Sequence, residues 1–538
     1  MPHKALIHRL ALGLVGGLSI PLLGGPAIAL VVSTHEGGID AYRLHSAPYN
    51  LTGHKIAIGQ VEIGRPAQFG LDKAAANNFL VRVSRLFHLD GLAQANDFVD
   101  GHAANVASVM ISRDKSLTGV APDATLYSAA VGFIERSAQP QECLSSQTVA
   151  LQNGGDVRAT NFSFGESLAG DPRPNATLDG NALLTQCIDW SANEHNILYV
   201  IAGNQGRGGI PIPTDNFNGI TVANSAQIDG VFRKIDFSNL GSEPTLVVGR
   251  DPSSESNVGP RRSVSLVAPG TGIAMLDPDG RRTRATGTSF AAPHVTATVA
   301  LVQEYGDRQL REHRPNWTLD SRRHEVTKVI LMNSADKIRD TGNGLRLGMT
   351  RDVVNQANQT WLDSDAYRDP AIPLDADLGT GHLNAFRAIQ QFSGGQWAPD
   401  APVAAIGWDY RTVGTSADAP SYRDYVVEQP LQKDSFISVT LAWNRPLALN
   451  DTNGNTIYDI GETFSDGGLN NLDVYLLKAD DDDLSDAVWS SVSQVDSVEH
   501  IFHQIPATGR YKIRVVYRDR VNTPTQAYAI AWWAVPAQ

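Results

Sequence analysis

Hydrophobic and polar positions follow two different patterns along this chain. Between residues 55 and 390, short apolar runs alternate with longer stretches that have helical periodicity. The apolar runs are KIAIGQVE, ATLYSAAV, VRATNFSF, NILYVIAG and GITVAN, and the helical stretches include HAANVASVMIS, NALLTQCIDWSANE and SFAAPHVTATVALVQEY. Apolar strands separated by helices predict an α/β fold, a parallel sheet with helices on both faces. Active sites of such folds collect at the carboxyl ends of the strands.

After residue 392 the pattern changes. A Gly/Pro-rich stretch at 393–402 predicts a linker, and the remainder, 403–538, contains short runs in which apolar residues fall at every second position. In SFISVTLAW the apolar positions run from Ile437 to Trp443, with Ser438 and Thr440 on the other face. Alternation of this kind in several short segments predicts an antiparallel β-sandwich as a second domain.

The N-terminus has the pattern of a targeting segment. Lys4 and Arg9 precede an apolar stretch, and an Ala-x-Ala sequence ends at Ala29. This predicts a signal peptide at 1–29, followed by a lead-in at 30–54, and export to the periplasm, the cell surface or the medium. An uncleaved anchor is the alternative, although the stretch contains Pro21 and is short for a membrane span. No stable membrane insertion is expected after cleavage.

Charge and cysteine content narrow the possible partners. The formal net charge is −13 without a Lys/Arg-rich cluster, which argues against nucleic acid as a partner. A monomer is expected. The chain has two cysteines, Cys143 and Cys187. An oxidising compartment permits one disulfide between them, but two free buried thiols remain an equal alternative because sequence does not reveal their separation.

The segment ATGTSFAAPHVTA, residues 285–297, carries the most specific chemical signal. Ser289 opens a predicted helix, and Pro293 lies in its first turns, where a missing N–H is best tolerated. At a helix N-terminus the macrodipole favours a developing negative charge, and the serine's own N–H can bind an oxyanion. Taken alone, such a serine is usually only a cap.

This segment closely resembles the serine motif G-T-S-x-A-x-P of the subtilisin-like serine proteases. Further segments similar to landmarks of that family follow its order: DGHAANVASVM (100–110), TNFSFGES (160–167) and VIAGN (200–204). The resemblance covers about residues 50–392 and implies a subtilase catalytic domain at 55–392 that acts on polypeptides. It implies Ser289 as nucleophile, His102 as general base and Asn204 as oxyanion donor, with Ser163, Phe164 and Gly165 pairing with the substrate backbone.

One departure from the family concerns the third catalytic residue. The family's first catalytic strand ends in Asp-x-Gly, whereas here Val61-Glu62-Ile63-Gly64 occupies that place. Glu62 is therefore predicted to orient His102, although its side chain is one methylene longer. The plainer interpretation is an acidic strand end that meets water. Because of such departures, a catalytically impaired peptide-binding protein or a surface adhesion protein remains the alternative function.

A possible metal site lies in the second domain, in DTNGNTIYDIGE at 451–462. Oxygen ligands at loop positions one, three, five, seven, nine and twelve resemble an EF-hand-type calcium loop. Position six, where glycine normally makes the turn, is Thr456, and an Asn/Asp-rich turn without metal is the alternative. The predicted calcium ligands are Asp451, Asn453, Asn455, Ile457 through its carbonyl, Asp459 and Glu462.

Overall fold

The computed structural model describes residues 33–66, 80–93, 98–134, 137–203, 212–235, 261–399, 401–416 and 419–537. The predicted signal peptide and Asn204 lie outside these residues. Among the helices in these ranges, none combines the length and apolar character needed to cross a bilayer.

The first part of the chain is an α/β layer structure. Its strands are β1 (Ala57–Glu62), β2 (Val83–His88), β3 (Gly91–Leu92), β4 (Arg113–Asp114), β5 (Leu117–Thr118), β6 (Thr125–Ala130), β7 (Val157–Phe162), β8 (Leu198–Ala202), β9 (Ile220–Ile228), β10 (Val231–Lys234), β11 (Leu266–Pro269), β12 (Ile273–Leu276), β13 (Arg282–Ala285) and β14 (Val353–Val354). Its helices are α1 (Gly101–Ile111), α2 (Gln139–Ala150), α3 (Leu183–His195), α4 (Thr288–Arg311), α5 (His324–Asn333) and α6 (Ala385–Ser393).

The central sheet has the order β14-β10-β9-β8-β7-β1-β6-β2-β3, with β11 also paired to β9. The run from β9 through β8, β7, β1 and β6 to β2 is parallel, as predicted. Helices α1 and α4 pack on one face, and α2 and α3 cover the other. Side chains of a strand alternate between the two faces. Ile56 and Ile58 join the core under α1 and α4, so Glu62 shares their side of the sheet.

The second part is a sandwich of two antiparallel sheets, also as predicted. Its sheets have the orders β15-β24-β17-β22 and β16-β23-β20-β21, and β18 and β19 form a separate hairpin. The strands are β15 (Ile406–Gly414), β16 (Tyr422–Val426), β17 (Phe436–Trp443), β18 (Leu447–Leu449), β19 (Phe464–Asp466), β20 (Asn471–Lys478), β21 (Trp489–Ser491), β22 (Val498–Gln504), β23 (Tyr511–Asp519) and β24 (Thr525–Trp533).

The sandwich packs directly on the α/β part. Every residue of β17 is buried, because its polar face lies against α5 rather than in water. There the hydroxyls of Ser438 and Thr440 donate to Asn333 Oδ1 at 2.9 and 3.0 Å. From the segment predicted as a linker, Gln396 donates to Asp320 and Asp409 at 2.8 and 2.9 Å. The two parts therefore share a buried polar interface.

A second contact holds the sandwich near the helices α2 and α3. Cys143 of α2 and Cys187 of α3 form a disulfide, which decides between the two alternatives that the sequence left open. Tyr458 and Phe464, from the β18–β19 hairpin, pack in the same buried cluster as this disulfide. Nearby, the buried guanidinium of Arg445 pairs with Asp189 at 2.9 Å. Removing one partner of such a buried pair typically destabilises by about 3–5 kcal/mol.

Candidate active site

Three neighbouring strands end at the same edge of the central sheet. In the order β8-β7-β1, the residues that end or directly follow them are Gly203, Ser163 and Glu62. Helices α1 and α4 contact each other over this region and bring in His102 and Ser289 from their first turns. Parallel strands thus place at one edge residues that are far apart in sequence.

Glu62 and His102 form the central pair of the site. His102 Nδ1 lies 3.3 Å from Glu62 Oε2, and the Glu62 side chain is 2% exposed whereas that of His102 is 32% exposed. Burial of the imidazole acts to lower its pKa, but the charge and hydrogen bond of Glu62, together with the charge of Asp100, outweigh burial, so the pKa of His102 is raised. Among the described residues, Glu62 Oε1 has no hydrogen-bond donor.

The start of α1 is held in place from two sides. Asp100 is its N-cap, and its Oδ1 accepts from the backbone N–H of Ala103 at 2.9 Å. The side-chain amide of Gln60, two residues before Glu62 in β1, donates to the carbonyl of Ala103 at 2.9 Å. The strand that carries the carboxylate is therefore bonded to the turn that carries the imidazole.

Ser289 lies at the start of α4 and is bound reciprocally to Ser163. The hydroxyl of Ser289 donates to the carbonyl of Ser163 at 3.0 Å, and the hydroxyl of Ser163 donates to the carbonyl of Ser289 at 2.7 Å. Pro293 has no N–H, so the Ser289 carbonyl lacks the usual helical donor four residues later. Ser163 supplies the missing donor.

The imidazole of His102 contacts the residue after Ser289 but is not hydrogen-bonded to the Ser289 hydroxyl. The ring of His102 lies 5.6 Å, centroid to centroid, from that of Phe290, the residue after Ser289. Within the described part of the chain, the Ser289 hydroxyl bonds to Ser163 and not to His102. The predicted nucleophile is thus hydrogen-bonded to the strand end and not to the predicted base.

The predicted oxyanion donor, Asn204, lies outside the described residues, but its neighbour is placed. The N–H of Gly203 donates to Val222 at 2.8 Å, and the carbonyl of Gly203 accepts from the Thr288 hydroxyl at 2.6 Å. The residue before Asn204 is thereby bonded to the residue before Ser289.

The predicted substrate-pairing segment, Ser163 to Gly165, directly follows the end of β7. Beyond it, Glu166 exchanges two backbone hydrogen bonds with Ile212, at 2.8 and 3.1 Å. No backbone hydrogen bond joins Phe164 or Gly165 to any other described residue. The prediction that an extended peptide pairs with this segment by strand addition concerns these backbone groups.

Two buried polar residues that were not predicted as site residues, Asn161 and Thr296, are linked by hydrogen bonds to Ser163. Asn161, inside β7, donates from its amide to Ser163 Oγ at 2.8 Å. The hydroxyl of Thr296, in α4, donates to Asn161 Oδ1 at 3.2 Å. The available signal was a polar residue two positions before Ser163, and therefore on the same face of the strand, in a strand that also contains Arg158 and Thr160.

The predicted calcium loop at 451–462 is a tight polar turn. Asp451 accepts backbone N–H groups from three residues of the loop, and Thr456 adopts φ +65° at position six, where a glycine would be unstrained. The side chains of Asn453 and Asn455 converge on Asp459 Oδ2, at 2.6 and 2.7 Å. Both amides donate to this carboxylate from Nδ2, while their Oδ1 atoms accept the backbone N–H groups of Asn455 and Ile457.

The remainder of the predicted ligand set is less favourable. Both carboxylate oxygens of Glu462 accept N–H groups of the loop itself, from Thr452 and Asp459. In the described part of the chain, no group of three or more His, Cys, Asp or Glu residues is arranged to hold a metal. The loop also touches the α/β part, because the Tyr458 carbonyl accepts from Gln147 Nε2 of α2 at 3.0 Å.

Comparisons with known proteins find a family model and several relatives that match this sequence. A sequence model of the subtilase family matches residues 38–356. Subtilisin Savinase of Lederbergia lenta is 28% identical over 224 residues, which are 40% of this chain and 70% of that protein. An alkaline protease of Alkalihalobacillus alcalophilus is also 28% identical over 224 residues, and the chain spans about half of its length, 49%. Thermitase of Thermoactinomyces vulgaris is 24% identical over 45% of this chain and 68% of that protein.

Proposed function

Because the chain belongs to the subtilase family, we propose that it is a serine endopeptidase that hydrolyses polypeptides through Ser289, His102 and Glu62. The observation that carries this proposal is the pair of His102 and buried Glu62, 3.3 Å apart, beside the first turn of the helix that begins with Thr288-Ser289. A nucleophile, a base and a group that orients the base are the parts that acyl transfer by serine requires.

In this mechanism Glu62 accepts the Nδ1–H of His102 and so leaves Nε2 free as the base. Ser289 Oγ attacks the scissile carbonyl and transfers its proton to Nε2, and the carboxylate stabilises the resulting imidazolium. The imidazolium then protonates the leaving amine, and an acyl-enzyme remains on Ser289. Water repeats the sequence with His102 as base and releases the carboxylic acid.

The oxyanion that forms in each step is assigned to two donors. One is the backbone N–H of Ser289, which lies in a helical first turn, where N–H groups have no acceptor within the helix. The other is the side chain of Asn204. The substrate backbone pairs with the segment Ser163–Gly165, which holds the scissile bond over Ser289.

Export and calcium complete the proposal. The predicted signal peptide would bring the chain to an oxidising compartment, and the disulfide between Cys143 and Cys187 is compatible with that location. Calcium would bind at the loop 451–462, where Asn453, Asn455 and Asp459 converge, and would stabilise the sandwich without entering the chemistry.

A second candidate function is supported by one observation. The Ser289 hydroxyl donates to Ser163 rather than to His102, as expected of a peptide-binding protein with an idle serine. A fluorophosphonate probe separates the two candidates, because only an activated serine reacts. The endopeptidase predicts labelling that is lost in Ser289→Ala, together with hydrolysis of an unfolded protein. Absence of both in the wild-type chain, with peptide binding retained, would establish the second candidate instead.

A further inference from the structure

A chain of buried hydrogen bonds connects β7 to α4 at two positions, Ser289 in the first turn of the helix and Thr296 seven residues later. Thr296 donates to Asn161 Oδ1 at 3.2 Å, Asn161 Nδ2 donates to Ser163 Oγ at 2.8 Å, and Ser163 donates to the Ser289 carbonyl at 2.7 Å. None of these four residues is more than 7% exposed. We call Thr296, Asn161 and Ser163 the polar clasp.

Which group donates and which accepts in each bond follows from the Ser289 carbonyl, to which the clasp is bonded. The Ser289 carbonyl can only accept, so the single hydroxyl proton of Ser163 points to it. Ser163 Oγ must then accept from Asn161, which requires the Asn161 NH2 group on this side. The Asn161 oxygen consequently faces Thr296, whose hydroxyl donates to it. Among the described residues, the only other acceptor near that hydroxyl is the Ala292 carbonyl, at the longer distance of 3.4 Å.

The clasp replaces a bond that the helix cannot form. Pro293 deprives the Ser289 carbonyl of its helical donor, and this carbonyl is buried away from water. Without Ser163 the first turn would have to rotate to find another donor. That rotation would move Oγ and the N–H of Ser289 together, the two groups assigned to attack and to oxyanion binding.

We propose that Ser163, oriented by Asn161 and Thr296, is a positioning residue that fixes the peptide of Ser289 for nucleophilic attack. The proposal rests on the proposed endopeptidase function and adds to it three side chains, which act through Ser289 and not on the substrate. Displacements on the order of 1 Å at a reacting atom lower rates by about 100-fold.

Thr296, the residue of the clasp that is farthest along the hydrogen-bond chain from Ser289, has a matched control on the same helix. Thr298 is fully buried like Thr296, but its hydroxyl donates to the carbonyl of His294 at 2.7 Å, within α4 itself. Thr296→Val and Thr298→Val therefore each delete one buried threonine hydroxyl. We expect Thr296→Val to lower kcat by about 2- to 10-fold, the factor associated with one neutral hydrogen bond. Thr298→Val should keep the wild-type kcat even if both variants lose thermal stability equally.

Ser163, the residue of the clasp that bonds directly to Ser289, is tested by the substitutions Ser163→Ala and Ser163→Thr. Ser163→Ala should lower kcat and the rate of fluorophosphonate labelling by about 10- to 100-fold, with KM within about twofold of wild type. Ser163→Thr keeps a hydroxyl and should restore most of kcat. Because Thr296 acts through Ser163, the double variant Ser163→Ala/Thr296→Val should be no slower than Ser163→Ala alone.

Three results would overturn the proposal. Equal losses of kcat in Thr296→Val and Thr298→Val would show a general effect of helix stability, and this comparison decides the matter if Ser163→Ala does not fold. An effect of Ser163→Ala on KM alone would place the hydroxyl in substrate binding. Absence of Ser289-dependent hydrolysis in the wild-type chain would overturn the proposed function and the positioning role together. If the wild-type chain is active, the variants test the positioning role alone.

Discussion

The substitution Glu62→Gln tests the least usual part of the proposed site. It preserves size and removes the charge that faces the imidazole at 3.3 Å. At this separation an ion pair is worth about 1 kcal/mol in water and ~5 kcal/mol at an effective dielectric constant of 20. Because about a third of the His102 side chain is exposed, the interaction energy lies between these two values. Charge loss alone therefore predicts a decrease in kcat of about 10- to 5000-fold.

Tautomer selection adds to this loss. If the glutamine oxygen faces His102, it can still accept the Nδ1–H, and its NH2 group takes the position of Glu62 Oε1, to which no described residue donates. If the NH2 group faces His102 instead, Nδ1 must accept, and Nε2 carries the proton and is no longer a base. Removal of the corresponding charge in another serine protease lowers kcat by about 10⁴. We expect a decrease of about 10³- to 10⁴-fold for Glu62→Gln.

The assay is kcat/KM on one peptide across pH, with Glu62→Asp as the matched variant that keeps the charge. The pKa of His102 is raised by Glu62, and the base must be neutral, so the acidic limb of the wild-type profile should lie above the ordinary pKa of histidine. Glu62→Gln should shift this limb to lower pH, while Glu62→Asp should keep it near its wild-type position. A Glu62→Gln variant that folds and keeps most of its activity would show that another group orients His102.

Three further predictions concern the oxyanion site, the metal loop and the disulfide. Asn204→Ala should lower kcat by about 10²- to 10³-fold with little change in KM, and a change confined to KM would place Asn204 in substrate binding. EDTA should lower the melting temperature of the wild-type chain, and added calcium should restore it, whereas Asp459→Ala should respond to neither; identical wild-type curves would leave the loop a plain turn. The Cys143–Cys187 bond spans 44 residues, so its reduction should lower the free energy of unfolding in urea by about 4 kcal/mol. The double variant Cys143→Ser/Cys187→Ser should have the same effect. Equal unfolding midpoints before and after reduction would contradict this prediction.

The sequence alone determined the local elements and the candidate residues at their ends. Periodicity predicted β1, β7, β8, α1 and α4, and side-chain alternation along β1 places Glu62 on the same side as Ile56 and Ile58. Ser289 was recognisable as a helix start because glycine, threonine and a proline four residues later surround it. These features depend on residues within a few positions of each other, so they can be read from one segment at a time.

Tertiary structure decided which of these segments meet. The order β8-β7-β1 brings together strand ends whose neighbours are about 40 and 100 residues apart in sequence. The packing of α2 on α3 places the two cysteine Cα atoms at 5.7 Å. The same is true of Ser438 and Thr440, whose alternation was evident but whose burial against α5 was not.

The reciprocal bonds of Ser163 and Ser289 show why local patterns did not suffice. A single sequence contains Pro293 and therefore implies an unsatisfied carbonyl at Ser289, but the donor lies 126 residues away on another element. Which donor fills that position depends on how β7 and α4 pack, since burial excludes water and leaves the carbonyl to be satisfied by whichever polar side chain the fold brings there. The sequence thus shows that the Ser289 carbonyl lacks its helical donor, and long-range packing decides that Ser163 is the donor that replaces it.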